Sequence, residues 1–204
     1  EQVVADHGTV NLVFNNAGVA LGATIEGESY ADFEWLMSIN FWGVVHGTKA
    51  FLPHLKQAGE GHIVNLSSVF GLISVPAQSA YNASKFAVRG FTDALRMELE
   101  IEDCGVSCTT VHPGGIKTNI ARNARMDPSA EMLSGDAGGA DAFDKIAMTS
   151  AKKAARQIIA AVEKNKRRAL IGPDAKVIDL LSRLPASLYQ RGLVAGASRR
   201  RRRT

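Results

Sequence analysis

The chain of 204 residues has few of the features that mark disulfide-stabilised, metal-binding or membrane-spanning proteins. Its two cysteines, Cys104 and Cys108, do not form a C-x-x-C pair. We expect both to be buried and reduced, with a disulfide or redox role as the alternative. Five histidines are scattered without metal-ligand spacing, so we expect no metal site. No apolar run approaches the ~18 residues of a transmembrane helix, and we expect a cytoplasmic protein.

Positive charge is concentrated at the C-terminal end. The formal net charge is +4, and Arg199 to Arg203 contribute five positive charges, so the remainder of the chain is close to neutral. Such a run cannot bury apolar surface, and we expect residues 196–204 to form a disordered, solvated tail. The alternative is attraction to nucleic acid or to an anionic membrane surface. No aromatic side chain lies among the arginines to stack on bases, so we expect no specific nucleic-acid partner.

Three short apolar, β-branched runs predict buried strands. They cover residues 12–14, 61–66 and 106–111, and each is followed by a polar or glycine-rich segment. The carboxyl ends of parallel strands form the ligand crevice of an open sheet, so these segments should converge. A fourth strand is predicted at 169–171, after a helix over about 150–163.

Two longer helices are predicted between these strands. Ser29, with Asp32 three residues later, indicates the start of a helix that runs towards Phe51 and contains Asn40. A buried asparagine in a helix needs hydrogen-bond partners, and a satisfied core amide is one interpretation of Asn40. A second helix is predicted over about 79–102. Alternating strands and helices predict an α/β fold with a parallel sheet.

The second helix carries Tyr81 and Lys85, which lie one turn apart on the same face. A tyrosine hydroxyl ionises near pKa ~10, and a cation nearby favours the phenolate. The two side chains can therefore act as a proton-transfer pair. A second positive charge, such as an oxidised nicotinamide ring, would add to the effect of the lysine. An exposed helical pair is the alternative, because this spacing is common in ordinary helices.

Four signatures occur in a characteristic order and spacing. They are Asn15-Asn16-Ala17-Gly18, Asn40, Ser68 with Tyr81 and Lys85, and Pro113-Gly114-x-Ile116-x-Thr118. With this combination, the chain resembles the short-chain dehydrogenase/reductase family, in its common single-domain form, over about residues 1–172. The resemblance implies a Rossmann-like, doubly wound parallel sheet with helices on both faces. It also implies NAD or NADP as cofactor, a small-molecule substrate and a homo-oligomer.

The resemblance further implies a role for each matching residue. Tyr81 would be the general acid and base, Lys85 would lower the Tyr81 pKa and bind the nicotinamide ribose, and Ser68 would bind the substrate oxygen. Asn40 would complete the catalytic set by holding a water that links Lys85 to solvent. The cofactor-binding residues would be Asn16, Ala17 and Gly18 on the adenosine side, Pro113, Gly114, Ile116 and Thr118 at the nicotinamide end, and Tyr81 and Lys85. For Ser67 we expect a role in the turn.

The glycine-rich turn that binds a dinucleotide pyrophosphate does not occur at the expected place. Residues 1–8 indicate the last turn of a helix with Gly8 as its C-cap, and the first strand follows at once. The glycine-dense residues 135–139 follow no strand and predict a flexible loop. We therefore expect residues 1–195 to be the C-terminal portion of one domain whose first three strands precede Glu1. By itself this portion should be inactive, and a targeting signal upstream stays open.

Substrate class is suggested by residues 119–149, which lie where the family has its substrate-binding lid. This segment mixes glycines with methionine, leucine, isoleucine and phenylalanine, which implies an apolar, mobile cover. An apolar ketone or secondary alcohol, lipid-like or steroid-like, is therefore favoured. Arg122 and Arg125 could instead meet an anionic group. A 3-oxoacyl thioester reductase and a non-catalytic cofactor-sensing or scaffold protein are the alternative functions.

Overall fold

The computed structural model describes residues 1–130 and 140–201, with side-chain detail for residues 1–130 and 143–198. Strands and helices alternate along the chain. The helices are α1 (Gln2–His7), α2 (Tyr30–Met37), α3 (Gly43–Ala58), α4 (Ser79–Glu102), α5 (Ala140–Ile146), α6 (Ala151–Glu163), α7 (Pro173–Leu181) and α8 (Ala186–Arg201). The strands are β1 (Leu12–Asn15), β2 (Leu21–Gly22), β3 (Gly61–Leu66), β4 (Val106–Pro113), β5 (Ile116–Lys117), β6 (Arg125–Met126), β7 (Thr149–Ser150) and β8 (Arg168–Ile171).

The main sheet is parallel throughout, with its four strands in the order β1-β3-β4-β8. Its register pairs Leu12 with His62, Gly61 with Val106 and Thr110 with Arg168. These are the four predicted strands, and the parallel α/β fold is confirmed. Because the strands are parallel, the segments after β1, β3 and β4 leave the sheet at the same edge.

Helices cover both faces of this sheet. The neighbouring residues Ile63 and Val64 are both fully buried, and they belong to different core clusters because successive strand side chains point to opposite faces. Leu55 of α3 and Leu95 of α4 pack in the cluster of Ile63. The cluster of Val64 contains alanines of α6. This two-layer covering is the doubly wound arrangement expected from the sequence.

A π-helical turn interrupts the helix that was predicted to run from Ser29 towards Phe51. Ser29 caps α2 as expected, since its Oγ accepts a hydrogen bond of 3.1 Å from the Asp32 N–H. The chain then passes through a π-helical turn at Ser38–Trp42 before α3 continues to Ala58. Such single π turns occur frequently at functional sites, where the wider turn redirects a side chain. Here the turn contains Asn40, which is fully buried.

Three other predicted elements agree with the structure. Helix α4 has the predicted bounds, and Ser150 caps α6 by accepting a hydrogen bond from the Lys153 N–H. Helix α1 ends at Gly8, whose φ of 77° is a conformation that favours glycine. The two cysteines are free as expected, and Cys108 is buried, whereas Cys104, for which we also predict burial, is only partly buried.

The C-terminal residues differ from the expectation. We expected disorder from residue 196 onward, whereas α8 continues to Arg201. Alanine and arginine are good helix formers, so a helix already begun at Ala186 can extend through them. No helix of the described residues is both long and apolar enough to cross a bilayer.

The expected substrate-binding lid, residues 119–149, pairs with other strands of the protein near both of its ends. Strand β6 pairs with β2, and β7 pairs with β5, so the segment between β6 and β7 starts and finishes on short parallel ladders. Helix α5 lies within this segment. The glycine-dense residues 135–139, for which we predicted a flexible loop, lie outside the described residues.

Candidate active site

Three of the predicted site residues, Gly18, Asn40 and Lys85, lie close together after the end of β1. A Cβ atom built on Gly18 would lie 3.4 Å from Asn40 Oδ1 and 3.6 Å from Lys85 Nζ. The loop after β1, the π-helical turn and α4 therefore approach one another at this point. A Cβ atom there would make ordinary van der Waals contact with both groups, so the distances show how closely Asn40 and Lys85 lie to the Gly18 backbone.

Asn40 joins the loop after β1 to α4. Its Oδ1 accepts a hydrogen bond of 2.8 Å from the Val19 N–H, and its Nδ2 donates to the Val19 carbonyl at 2.9 Å. Nδ2 also lies 3.3 Å from Ser84 Oγ, on the helix that carries Tyr81 and Lys85. The amide is thus satisfied, which removes the cost of burying it inside a helix. Asn40 has the contacts of a residue that positions the site.

Lys85 lies almost fully inside the protein. Only 4% of its surface is exposed, and its Nζ donates a hydrogen bond of 3.0 Å to the Leu66 carbonyl at the end of β3. The ammonium lies 5.6 Å from the centre of the Tyr81 ring. Burial disfavours the charged form and lowers the pKa of Lys85 to about 8. The side chain is therefore still mostly protonated at neutral pH.

Tyr81 and Ser68 are neighbours in the site, and Ser68 affects the pKa of Tyr81. Burial raises the pKa of Tyr81, and a hydrogen bond with Ser68 acts in the opposite direction. Ser68 itself is 8% exposed, and its Oγ accepts a hydrogen bond of 3.1 Å from the Phe70 N–H. The expected lowering of the Tyr81 pKa by Lys85 does not appear in this structure. The reason is that burial disfavours the charged forms of both partners. The phenol is thus the neutral form, which can donate a proton.

Ser67 has a structural contact, in line with the turn role expected for it. Its hydroxyl donates a hydrogen bond of 2.8 Å to the Lys85 carbonyl, so it ties the end of β3 to α4. A Cβ atom at Gly71 would lie only 2.3 Å from Ser67 Oγ and 2.7 Å from that carbonyl. Gly71 is therefore needed for this close packing of the segment after Ser68 against α4.

His112 is a site residue that sequence reasoning did not single out. It is fully buried at the end of β4, and its Nδ1 lies 2.7 Å from the Ser68 carbonyl. A carbonyl only accepts, so Nδ1 carries the proton and donates it. Burial lowers the pKa of His112 to about 4, which keeps the ring neutral. The Gly71 N–H donates to the same carbonyl at 2.9 Å, and Ser68 is held from two sides.

Asp174 is a second residue that the sequence did not reveal, and it supports the loop after β4. One carboxylate oxygen accepts a hydrogen bond of 2.5 Å from the Gly115 N–H. A Cβ atom at Gly114 would lie 2.1 Å from that oxygen, so only glycine fits there. Gly172, with a φ of 96°, packs against the other oxygen. The signal in the sequence was weak, because Gly-Pro-Asp also describes an ordinary helix start.

The predicted cofactor-binding residues lie along the edge where the strands end. Asn16, Ala17 and Gly18 are exposed after β1, and Thr118 is exposed after β5. Pro113 and Gly114 are half-buried at the end of β4, where the Gly114 N–H donates to the Ile171 carbonyl. Ile116 pairs with Thr149 and packs on the cluster under α6. The loop after β1 and the segment that follows β4 thus leave an accessible strip on either side of Ser68, Tyr81 and Lys85.

The base of the lid is anchored through an arginine. The Arg125 guanidinium lies 3.6 Å from the centre of the Trp35 ring and forms an ion pair of 2.7 Å with Asp32. Arg125 therefore already has an anionic and an aromatic partner. Near this base the large apolar side chains of Met126, Ile146 and Met148 are between 44% and 66% exposed.

No group of three potential metal ligands occurs among the residues that the structure describes. The histidines with lowered pKa values, His62 and His112, bond to Thr109 and to the Ser68 carbonyl.

The arrangement of Ser68, Tyr81 and Lys85 can bind an oxygen atom of a substrate between the two hydroxyls, beside the buried ammonium group. It can also deliver a proton to that oxygen.

Comparison with known proteins identifies relatives of this chain. The family model of the short chain dehydrogenases matches residues 1–129. An oxidoreductase of Mycobacterium tuberculosis named SadH is 48% identical over 200 residues, which are 98% of this chain and 71% of that protein. A 3-ketodihydrosphingosine reductase of Bacteroides thetaiotaomicron is 34% identical over 143 residues, 70% of this chain and 51% of that protein.

A solved structure has the same fold. The short chain dehydrogenase/reductase of Burkholderia phymatum in complex with NAD superposes with a TM-score of 0.75 and 28% sequence identity. The alignment covers 88% of this chain and 67% of that one. The family model, the relatives and the fold agree, and the chain belongs to the short-chain dehydrogenase/reductase family of oxidoreductases.

Proposed function

We propose that the full-length protein is an NAD(P)-dependent oxidoreductase that interconverts a secondary alcohol and a ketone, with Tyr81 as the acid and base. The observation that carries this proposal is the arrangement of Tyr81 and Ser68 near the buried ammonium of Lys85, which lies 5.6 Å from the centre of the Tyr81 ring. A scaffold or cofactor-sensing protein has no need of a buried lysine at this place, because burying a charge is costly.

Each side chain has a separate task in the proposed reduction. The Ser68 hydroxyl donates a hydrogen bond to the substrate oxygen and stabilises the negative charge that develops there. The Tyr81 hydroxyl transfers its proton to the same oxygen. Lys85 stabilises the phenolate that remains and binds a ribose hydroxyl. Asn40 positions the loop after β1 and, as the family resemblance implies, holds a water that links Lys85 to solvent. When bound, the cofactor supplies the hydride.

The strip along the strand ends fits such a cofactor. Asn16, Ala17 and Gly18 present small or amide side chains on the adenosine side, where a backbone can approach a ligand closely. On the nicotinamide side, Pro113 and Gly114 would set the path of the loop, and Ile116 and Thr118 would contribute to holding the nicotinamide end of the cofactor. Asp174 holds this loop through the Gly115 N–H. The NAD-bound relative supports the assignment, and the choice between NAD and NADP stays open.

The proposed substrate is an apolar, lipid-like ketone or alcohol. Exposed Met126, Ile146 and Met148 offer apolar surface near the ends of the lid segment. The similarity to a 3-ketodihydrosphingosine reductase supports a lipid-like compound. Arg125 is engaged by Asp32 and Trp35, which leaves it poorly suited to bind the anionic groups of a carrier thioester. The 3-oxoacyl thioester reductase is therefore the second choice.

The experiment that tests this function is a turnover assay of the full-length protein. Straight-chain alkan-2-ones are supplied with NADH or NADPH, and cofactor oxidation is followed by absorbance while the alcohol is identified by mass spectrometry. We expect stoichiometric formation of the secondary alcohol. Consumption of neither cofactor with any ketone, and no oxidation of the matching alcohols, would contradict the proposed reaction.

We also infer a homo-oligomer that uses the outer face of α4. Phe86, Met97 and Ile101 lie along one stripe of this helix and are 39%, 56% and 85% exposed. Burying such a stripe against a second copy is favourable. The substitution Ile101→Lys should lower the mass measured by light scattering, while Lys176→Glu on α7 should leave it unchanged. The same monomeric mass in the wild type and both variants would refute this inference.

A further inference from the structure

Helix α7 carries an apolar stripe on its outer side. Val177, Leu180 and Leu181 have helical spacing and are 59%, 66% and 38% exposed. Leu184, which is 46% exposed, follows one turn later, where its N–H donates a hydrogen bond of 3.1 Å to the Leu181 carbonyl. We call these four residues the α7 stripe. Exposed apolar side chains that are contiguous in this way are typical of a surface that binds a partner.

The face that α7 buries in the protein contains a charged side chain. Its buried residues are Ala175 and Asp179. The Asp179 carboxylate forms an ion pair of 2.7 Å with Arg183 and lies 3.7 Å from a nitrogen of Arg168. A surface helix normally buries its apolar side and exposes its charged side. Because α7 buries a carboxylate and exposes large apolar side chains, packing against the described part of this chain does not explain the α7 stripe.

Positive charge is concentrated in the same part of the chain. Residues 173–204 contain eight lysines and arginines and two aspartates, which gives this segment a net charge of +6. Since the whole chain has a net charge of +4, residues 1–172 have a net charge of −2. Lys176, Arg183 and Arg191 are exposed, and five consecutive arginines follow at 199–203. Exposed apolar surface and positive charge therefore occur together.

This combination discriminates between three kinds of partner. A second copy of this chain, docked through the same face, would bring two strongly basic segments together, and like charges repel. A nucleic acid would match the charge but would leave the α7 stripe in water. An anionic bilayer matches both features, because its headgroups attract basic side chains and its boundary with the acyl chains accepts apolar ones.

We propose that the α7 stripe and the basic residues of 173–204 bind the surface of an anionic lipid bilayer. Helix α7 lies in the plane of the interface, with the stripe turned towards the acyl chains. Lys176 and Arg183, seven residues apart, lie beside the stripe on one side of the helix and meet the lipid phosphates. The proposal does not depend on the proposed reaction, because it rests on exposed surface and charge and uses no residue of the candidate active site.

The test measures binding of the full-length protein to lipid vesicles by co-sedimentation. The vesicles contain phosphatidylcholine alone, or phosphatidylcholine with about 30% phosphatidylglycerol, which makes the surface anionic. Leu180→Glu places a charge in the α7 stripe. Ile159→Glu is the matched control, because Ile159 is 50% exposed on α6 and lies outside the stripe. On anionic vesicles the wild type and Ile159→Glu should bind alike, and Leu180→Glu should bind more weakly by about tenfold or more.

A second variant isolates the contribution of charge. Replacing all of Arg199 to Arg203 by glutamine removes five charges, each worth about fivefold in affinity near an anionic surface. Binding to anionic vesicles should therefore fall by about 100-fold or more. The wild type should bind vesicles of phosphatidylcholine alone with similarly low affinity. Thermal unfolding should occur at the wild-type temperature in Leu180→Glu, because this side chain is mostly exposed.

Several results would overturn the proposal. Equal binding of anionic vesicles by the wild type and Leu180→Glu would exclude the stripe, and equal binding of neutral and anionic vesicles by the wild type would exclude the charge. If neither protein bound vesicles and Leu180→Glu had a lower mass by light scattering, the stripe would be an interface between copies. Binding of double-stranded DNA without binding of vesicles would make a nucleic acid the partner. None of these results bears on turnover at Tyr81.

Discussion

Replacing His112 by leucine removes one of the two hydrogen bonds that hold the Ser68 carbonyl. The His112 ring is fully buried, and its Nδ1–H donates to that carbonyl at 2.7 Å. Leucine fills a similar volume without a donor. Asparagine carries an N–H group at the same position along the side chain, so His112→Asn keeps the donor and is the matched control.

The cost of the leucine substitution to stability should be small. The Ser68 carbonyl keeps its hydrogen bond of 2.9 Å from the Gly71 N–H, so it is not left unsatisfied. The loss should therefore be close to the net value of one hydrogen bond, about 1 kcal/mol. His112 Nε2, which is buried without a partner among the described residues, is removed as well and offsets part of this cost.

The effect on turnover should be larger than the effect on stability. A misplacement of about 1 Å in a reacting group can cost about 10² in rate, and Ser68 loses one of two constraints. We expect kcat to fall about tenfold in His112→Leu and to return to within threefold of the wild type in His112→Asn. The KM for the cofactor should stay unchanged in both.

The assay is steady-state turnover, with thermal unfolding recorded on the same preparations. Equal loss of kcat in the leucine and asparagine variants would refute the role of the Nδ1–H donor. A loss of kcat that follows the loss of stability across both variants would also refute it, because His112 would then act only in packing.

Two further predictions follow from the buried titrating groups. Burial lowers the pKa of Lys85 to about 8 and raises that of Tyr81. Lys85→Met should therefore weaken cofactor binding and remove the inflection near pH 8 from the pH profile of kcat/KM. The activity that remains should have its pH dependence moved to higher pH. An unchanged pH profile would rule out coupling between the two residues. His62 and His112 have pKa values lowered to about 4, so the unfolded chain binds more protons below about pH 6.5. Stability should be fully present above that pH and should fall towards pH 4, by up to about 3 kcal/mol for each histidine. In urea titrations His112→Asn should reduce this dependence, and the same dependence in the variant would contradict it.

The fold was predictable because its signals are local. Helix α4 could be placed at Ser79–Glu102 from apolar spacing, and the four parallel strands from their β-branched runs. The π-helical turn at Asn40 could not be predicted in this way. It depends on hydrogen bonds to the Val19 backbone, 21 residues away, and no local preference encodes that contact. The sequence predicts disorder from residue 196 onward because of its charge density, whereas α8 continues to Arg201, and arginine is a good helix former.

The site was predictable as a set of residue types, but its electrostatics were not. The sequence places Tyr81 and Lys85 one turn apart, whereas the depth of burial that raises one pKa and lowers the other is a tertiary property. His112 and Asp174 support Ser68 and the loop after β4 from distant segments. Neither contact can be derived from spacing, because each joins residues that are more than 40 positions apart.

The most direct measurement of the central claim is the turnover of Tyr81→Phe in the full-length protein. This substitution removes only the hydroxyl, so the ring should keep its edge-to-face contact with Phe70. We expect kcat to fall by about 10² or more, the scale of general acid–base catalysis, with the dissociation constant of NAD(P)H nearly unchanged. Turnover within a few-fold of the wild type would remove Tyr81 from the mechanism and contradict the proposed function.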